Sequence, residues 1–147
     1  MCSIFGITQP SQEYKNFLSH RGPDHFDSFW ARDIYLVHNR LSIIGLDERS
    51  NQPMQGRNGT IIVFNGEIYN YKDLKAKELS DYVFKSHSDT EVILALYEKY
   101  GIDCVQYLRG MFAFAIWDEN EKRLFCARDR FGIKPFYYTK TQNQFAF

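Results

Sequence analysis

The sequence predicts a β-rich α+β fold in a single domain. Its 147 residues are enough to bury one hydrophobic core. Hydrophobic residues make up 44% of the chain and aromatic residues 17%, which is typical of a folded domain and not of a disordered one. Short apolar runs of strand length recur between turn signals, whereas only one segment carries a strong helical pattern. No repeat, linker or low-complexity segment divides the chain.

In the first half of the chain we expect strands separated by turns. The predicted strands are residues 3–8, 34–38, 41–44 and 60–64. A short helix or turn is expected through residues 14–18, before the adjacent Gly22 and Pro23 force a break. Residues 51–56 are a predicted loop, and Asn58-Gly59 is a hairpin signal. Asn65-Gly66 is expected to end the strand at residues 60–64.

The second half contains the clearest helix. Ser88 with Glu91 three residues later predicts a capping box, apolar residues then recur on one face, and Gly101 supplies the stop. A weaker helix is expected at residues 72–79. The remaining predicted strands are residues 110–117, 124–129, 136–139 and 144–147. The last of these has no stop signal, so we expect a chain cut from a longer polypeptide.

Composition narrows the classes of function. Lys plus Arg and Asp plus Glu both number 18, so the net charge is zero and nothing favours binding to nucleic acid or to an anionic membrane. The longest apolar run, residues 111–117, is too short to span a bilayer. The three cysteines and the lack of a secretory leader predict reduced thiols and a cytoplasmic protein. The four histidines have no metal-ligand spacing, so no metal is expected.

The second residue, Cys2, is the strongest candidate nucleophile. Removal of the initiator methionine would make it the first residue, which then carries both a thiol and a free α-amine. An α-amine titrates near pH ~7.7 to 8.0 and could accept the proton of the thiol, so one residue would supply the nucleophile and its base. A cysteine before Ile-Phe-Gly is also explained as a small apolar residue of an edge strand. From these residues alone both interpretations stay open.

Polar residues that interrupt or follow the predicted strands are candidate ligands for a substrate. The Asn65 amide and a freed N–H of Gly66 could form an oxyanion hole, although Asn-Gly is also the commonest hairpin-turn dipeptide. Arg40 could hold a carboxylate through two parallel hydrogen bonds, or form a structural ion pair. The helix dipole alone explains Asp89, but with Arg40 and Glu67 it would match the two charged ends of an α-amino acid.

Eight short motifs, in order along nearly the whole chain, carry a family resemblance. They are MCSIFG (1–6), HRGPD (20–24), RLSI (40–43), NQPM (51–54), FNGEIYN (64–70), SDTE (88–91), RGMFAFA (109–115) and RDRFGIKP (128–135). The sequence resembles the N-terminal glutaminase domain of the asparagine synthetase family, a class II glutamine amidotransferase. On this basis residues 1–147 are one glutaminase domain, truncated at its C-terminal end, with the synthetase domain absent.

The resemblance implies an N-terminal-nucleophile hydrolase fold, a four-layer αββα sandwich of two antiparallel sheets between helices. It makes Cys2 the nucleophile, and Asn65 and Gly66 the oxyanion hole. Arg40 would bind the α-carboxylate of glutamine, and Glu67 with Asp89 its α-ammonium group. Backbone groups would line the same pocket, from Leu41, Ser42, Ile43 and Ile44. Arg21 and Gly22 match a motif that supports the nucleophile.

The resemblance also implies an activity. Glutamine would be hydrolysed to glutamate and ammonia through a Cys2 thioester, and the ammonia would pass to an ATP-dependent synthetase domain or subunit that amidates an acceptor. No cofactor is implied for this domain, and ATP and Mg only for the missing synthetase part, since the chain lacks a phosphate-binding glycine loop. A homodimer is compatible with this account. The alternative is a non-catalytic module of the same fold that senses glutamine or supports a synthetase.

Overall fold

The computed structural model describes residues 1–12, 14, 16 and 18–147, and it contains two antiparallel sheets packed face to face. The strands are β1 Ser3–Thr8, β2 His25–Ala31, β3 Ile34–Arg40, β4 Met54–Gln55, β5 Thr60–Ile68, β6 Gly110–Asp118, β7 Arg123–Arg128, β8 Thr139–Lys140 and β9 Phe145–Ala146. The α-helices are α1 Tyr71–Lys77 and α2 Asp89–Tyr100, and short 3₁₀ turns cover Ser19–Arg21, Glu48–Ser50 and Gly101–Gln106. The helix or turn predicted at residues 14–18 falls largely outside the described residues.

The two sheets differ in strand order and pairing. The first has the order β2-β3-β1-β9-β8 and the second the order β4-β5-β6-β7. In the first sheet, β1 pairs with β3 so that Ser3 lies opposite Asn39, and β9 brings the last residues of the chain beside β1. In the second, β5 and β6 pair along their full length, from Thr60 opposite Asp118 to Ile68 opposite Gly110. The start of β1 therefore lies beside the end of β3.

The alternation of side chains along the strands builds two layers of core. One face of β3 packs against one face of β5 and β6 between the two sheets. The buried apolar side chains of this layer are Ile34, Leu36, Ile61, Val63, Ala115 and Trp117. The opposite face of β5 and β6 packs against both helices, with Ile62, Phe64 and Phe114 on the strands and Ile93 and Leu96 among the residues of α2. Each fully buried aliphatic side chain contributes about 1.5–3 kcal/mol through removal from water. The predicted class of fold is confirmed, with the described α-helices forming one outer layer.

The N-terminus of α2 is capped, but not by the reciprocal pair that the sequence suggested. The Ser88 side chain accepts a hydrogen bond from the Thr90 N–H at 3.1 Å, as an N-cap residue does. The Glu91 carboxylate instead accepts from the N–H groups of Lys85, at 2.8 Å, and Ser86, at 2.7 Å. The Ser88 N–H is already bonded to the Ser86 hydroxyl. The capping-box prediction was therefore wrong for Glu91, whose carboxylate fastens the loop before the helix.

Several strand predictions need correction. The strand expected at residues 41–44 is absent, because β3 ends at Arg40 and the following residues form a bend. Of the strand expected at residues 136–139, only Thr139 lies in a strand, the two-residue β8, and the predicted loop at residues 51–56 contains β4. Strand β2 was missed because it lies at an edge with most side chains exposed, so its sequence lacks a buried face.

The dipeptide Asn65-Gly66 does not form a turn. It lies inside β5, which continues to Ile68 against β6. Gly66 also lacks the positive φ that a turn would require, in contrast to Gly59 and Gly132. Among the described residues, no helix is both long enough and apolar enough to cross a membrane.

Candidate active site

A cavity of about 290 Å³ opens where β1 begins and β3 ends. Both sheets, the N-terminus of α2 and the loop after β7 contribute to its wall. All the residues predicted for the site except Ser42 line it: Cys2, Arg40, Leu41, Ile43, Ile44, Asn65, Gly66, Glu67 and Asp89. The volume lies at the lower end of the range of about 300–1,000 Å³ that is usual for small-molecule sites, so it suits a small metabolite.

Contacts from two neighbouring segments hold Cys2 just before the start of β1. The Leu41 N–H points at the Cys2 sulfur, 3.3 Å away. The Leu41 carbonyl oxygen lies 3.5 Å from the same sulfur, so both main-chain polar groups of Leu41 contact the thiol. The Arg21 guanidinium donates from Nε to the Cys2 carbonyl at 3.4 Å, and a Cβ on Gly22 would lie 2.4 Å from the Asn39 carbonyl. The HRGPD loop thus lies directly against β3 and holds the main chain of the candidate nucleophile.

Arg40 is buried at the end of β3, with its side chain 5% exposed. Its Nη1 donates to the Asn51 side-chain oxygen at 2.6 Å and to the Asp47 carbonyl at 3.1 Å. Its Nη2 donates to the carbonyls of Ile44 and Gly45. Among the described residues no carboxylate forms a salt bridge with this guanidinium, so its positive charge meets only neutral oxygens. Of the two alternatives for Arg40, the structural ion pair is therefore wrong for the described residues.

Asn65 presents an amide group to the cavity. The residue is only 6% exposed, and no described residue forms a hydrogen bond with its side chain. It belongs to the face of β5 that meets the first sheet, on the same side as Ile61 and Val63. Its amide therefore projects from β5 towards the sheet that contains β1.

The main chain at Gly66 adds a second donor on the cavity side of β5. The N–H groups of Phe64 and Ile68, on either side of it, point away from β6 and bond to the side chains of Gln52 and Asp89. Because hydrogen-bonding directions alternate along an antiparallel strand, the Gly66 N–H points to this same edge. A Cβ at Gly66 would lie 2.2 Å from the Met111 carbonyl, so the close approach of β6 requires glycine here.

Glu67 and Asp89 give the cavity a negative side. Asp89 is 4% exposed, and its Oδ2 accepts a hydrogen bond from the Ile68 N–H at 2.9 Å. Burial raises the pKa of the Asp89 carboxyl, and the nearby charge of Glu67 raises it further, against the hydrogen bonds that lower it. A cation bound beside Asp89 would favour the ionised form of its carboxyl. The site therefore has a cationic side at Arg40 and an anionic side at Glu67 and Asp89.

Ser42 is the one predicted site residue that lies elsewhere. Its N–H donates to the Asp24 carboxylate at 2.7 Å, and the residue lines a neighbouring depression with His25 and Glu48. The bend after Arg40 turns it outwards while Leu41 and Ile43 face the cavity. The resemblance implied that backbone groups of Ser42 line the pocket, but its N–H is bound to Asp24 and the residue is not part of the cavity wall.

The loop after β7 brings in residues that the sequence analysis did not assign to the site. Although burial of the Asp129 carboxyl raises its pKa, hydrogen bonds from Lys134, Ile133 and two other main-chain N–H groups lower it more. These bonds hold Ile133 and Lys134 in the cavity wall. The Lys134 side chain is 6% exposed and contacts the Met1 sulfur at 3.3 Å. The RDRFGIKP motif contains both residues, but its sequence does not show which of them reach the cavity.

The other two thiols lie outside the cavity. Burial raises the pKa of both Cys104 and Cys126 to about 12, which keeps them protonated. Among the described residues no three His, Cys, Asp or Glu side chains are grouped so that they could hold a metal ion.

Comparison with known proteins agrees with this geometry. The chain matches a family described as a glutamine amidotransferase domain over residues 1–147. It is 44% identical to "Amidase chry2" of Gibberella zeae over 132 residues, which cover 88% of this chain and 20% of that protein. It is 47% identical to a glutamine-hydrolysing asparagine synthetase of Bacillus subtilis over 135 residues, which cover 88% of this chain and 17% of that protein. The chain thus spans about a fifth of the length of these relatives.

Among solved structures, glutamine phosphoribosylpyrophosphate amidotransferase from B. subtilis shares the fold. Its TM-score is 0.63 at 21% sequence identity, with coverage of 76% of this chain and 27% of that one. The match over the whole length of the chain, together with the placement of Cys2, Asn65 and Asp89 in one cavity, identifies the family. This chain belongs to the glutamine amidotransferase domains.

Proposed function

We propose that this domain hydrolyses glutamine to glutamate and ammonia with Cys2 as its nucleophile. The observation that carries the proposal is one cavity that gathers a thiol, two candidate oxyanion donors and charges of both signs. The relative in B. subtilis is itself described as glutamine-hydrolysing.

The two charged sides of the cavity would orient the substrate. The α-ammonium group of glutamine would lie between Glu67 and Asp89, where it relieves the charge of two partly or fully buried carboxylates. The α-carboxylate would lie beside Arg40, a residue that is 5% exposed and whose guanidinium is otherwise bonded to neutral oxygens. Leu41, Ile43 and Ile44 would form the wall between these ends. With both ends held, the side-chain amide is directed at Cys2, and such positioning accounts for much of an enzyme's rate enhancement.

The chemistry would proceed through a thioester. The Cys2 thiolate attacks the amide carbon, and the oxygen of the tetrahedral intermediate takes the negative charge. The Asn65 amide and the Gly66 N–H donate to that oxygen, a contribution of roughly 3 kcal/mol for each donor. The amine that accepted the thiol proton returns a proton to the leaving nitrogen, and ammonia departs. Water then attacks the glutamyl thioester, which releases glutamate and restores the thiol.

The base in this scheme exists only after Met1 has been removed. While Met1 is attached, the nitrogen of Cys2 belongs to a peptide bond and cannot accept a proton. Met1 is 57% exposed, so an aminopeptidase can reach it. We therefore propose that the active form begins at Cys2.

The fate of the ammonia extends beyond this chain. We propose that it is delivered to an ATP-dependent synthetase domain or subunit, which amidates an acceptor and holds the ATP and Mg. One relative supports this step, since it is a glutamine-hydrolysing asparagine synthetase. We also propose a cytoplasmic protein, because its three cysteines are free thiols.

Glutamate release from glutamine tests the proposal. The protein is purified with its N-terminus checked by mass spectrometry, and Cys2→Ala is compared with Cys126→Ala, which removes another thiol outside the cavity. We expect hydrolysis by the parent protein and by Cys126→Ala, and none by Cys2→Ala with an unchanged circular dichroism spectrum. Parent-level glutamate release by Cys2→Ala would refute the assignment. Binding of glutamine without hydrolysis by the processed parent protein would instead favour a glutamine-sensing module.

A further inference from the structure

The main chain of Phe64, next to the proposed oxyanion donors, is held by side chains and not by a neighbouring strand. Strand β4 pairs only with Ile61 and Ile62, so β5 continues beyond it with one unpaired edge. At that edge the Phe64 N–H donates to Gln52 Oε1 at 2.6 Å, and His38 Nε2 lies 3.1 Å from the Phe64 carbonyl oxygen. Both polar groups of this residue are thus bound from outside the sheet.

This arrangement joins three parts of the chain around one residue. His38 comes from β3 in the first sheet and is fully buried, and Gln52 is 5% exposed in the loop before β4. The Gln52 amide also donates to the Thr90 hydroxyl at 3.2 Å, which ties it to the first turn of α2. We call His38 and Gln52 the Phe64 clamp. Gln52 lines the cavity, whereas His38 does not.

The chemistry of His38 is defined by its carbonyl partner. A carbonyl oxygen only accepts, so Nε2 must carry the hydrogen and Nδ1 must hold a lone pair. Burial lowers the pKa of His38 to about 4, which keeps the ring neutral near pH 7. Nδ1 is buried and has no hydrogen-bond partner among the described residues. An unsatisfied buried polar atom destabilises a fold, so stability alone would favour an apolar residue here.

We propose that the Phe64 clamp, and His38 in particular, positions the oxyanion donors of the glutaminase site, an inference that rests on the proposed function. The carbonyl bound by His38 belongs to the peptide group that joins Phe64 to Asn65, so it fixes the point from which the Asn65 amide projects. The N–H of Gly66 follows one residue later on the same edge. A misplacement of about 1 Å in such a site can lower a rate by roughly a hundredfold. His38 therefore acts on the reaction through Asn65 and Gly66 without contacting glutamine.

Substitutions at His38 separate this role from a general contribution to packing. His38→Phe keeps a planar ring but removes the donor. His38→Gln carries an amide nitrogen at the reach of Nε2, whereas the shorter His38→Asn places its amide at the reach of Nδ1, too far from Phe64. Lys140→Gln, at an exposed residue of β8 outside the cavity, is the control.

The readouts are kcat, KM and the binding of glutamine by calorimetry in a Cys2→Ala background. For His38→Phe and His38→Asn we expect kcat to fall by roughly 10–100-fold, less than the loss of a whole oxyanion donor, with KM and glutamine binding within about twofold. We expect His38→Gln to recover most of kcat. Circular dichroism and thermal melting establish that each variant is folded.

The outcomes distinguish the two proposals. If the parent protein is inactive, or if Cys2→Ala is as active as the parent, the glutaminase proposal itself fails. If the parent is active and Cys2→Ala is not, but folded His38→Phe keeps the parent kcat, the clamp has no positioning role. Should His38→Phe fail to fold, equal kcat values for folded His38→Asn and His38→Gln refute the clamp, and a higher kcat for His38→Gln supports it.

Discussion

Acid should destabilise this fold through His38, and the size of the effect follows from its burial. The side chain is 0% exposed, and burial, the largest cause, lowers its pKa from 6.5 to about 4, with the charges of Arg40 and His25 acting in the same direction. The hydrogen bond to the Phe64 carbonyl opposes this shift without cancelling it. In the unfolded chain the same ring takes up a proton at its ordinary pKa. The unfolded state therefore binds more protons than the folded state between these two values.

The sign and magnitude follow from linkage. Stability that is fully present above pH 6.5 is lost as the pH falls, at up to about 1.4 kcal/mol per pH unit, until the pH reaches the folded pKa of about 4. The total loss at pH 4 is about 3 kcal/mol, a large part of the stability of an ordinary domain. Other groups also titrate in acid. Asp129, whose pKa is lowered, adds to the loss, and Asp89, whose pKa is raised, opposes it.

A comparison with His38→Gln isolates the contribution of His38, because glutamine cannot titrate. Denaturant unfolding is measured for both proteins at several pH values from 7 to 4.5, and the difference in free energy of unfolding is plotted. We expect the parent protein to lose about 2 kcal/mol more than His38→Gln across this interval. A difference that stays constant with pH would refute the view that His38 is buried as a neutral ring.

Three further predictions concern the cavity. Asn65→Ala should lower kcat by roughly 10²–10³-fold with little change in glutamine binding. A large rise in the dissociation constant with unchanged kcat would contradict an oxyanion role. Gly66→Ala should lower both the melting temperature and kcat, because the added Cβ would lie 2.2 Å from the Met111 carbonyl. A variant with the melting temperature of the parent protein would show that β5 and β6 can move apart at no cost. Asp89→Asn should weaken glutamine binding by roughly tenfold or more, since a neutral amide cannot balance the α-ammonium charge. Calorimetry in the Cys2→Ala background measures this affinity, which would be unchanged if the ammonium group lies elsewhere.

Strands β5 and β6 of the second sheet were predictable, because the local sequence of each favours a buried strand. The apolar runs at residues 60–64 and 110–117 became β5 and β6, whose faces are buried on both sides. The capping-box pattern of Ser88 and Glu91 placed Ser88 correctly as the N-cap of α2, although Glu91 does not complete the box. The motifs also placed Cys2, Arg40 and Asn65 among the residues of one site.

The features that the sequence did not predict depend on contacts that form only in the folded chain. Asn65-Gly66 has the composition of a turn, but pairing with β6 keeps it extended, so tertiary contacts override the local preference. The Glu91 carboxylate binds the N–H groups of Lys85 and Ser86, because the Ser88 N–H that it was expected to bind is taken by the Ser86 hydroxyl. His38 gives no signal at all, because its role depends on a carbonyl 26 residues away on the opposite sheet.

The central claim is that Cys2, with its amine freed, is the group that attacks the substrate. The most direct measurement is peptide-mapping mass spectrometry of the purified protein after incubation with a diazoketone analogue of glutamine, which alkylates an activated thiol. We predict a chain that begins at Cys2 and carries a single adduct on that residue, blocked by excess glutamine and absent from Cys2→Ala. An active protein that retains Met1, or one whose adduct lies on Cys104 or Cys126, would contradict the account.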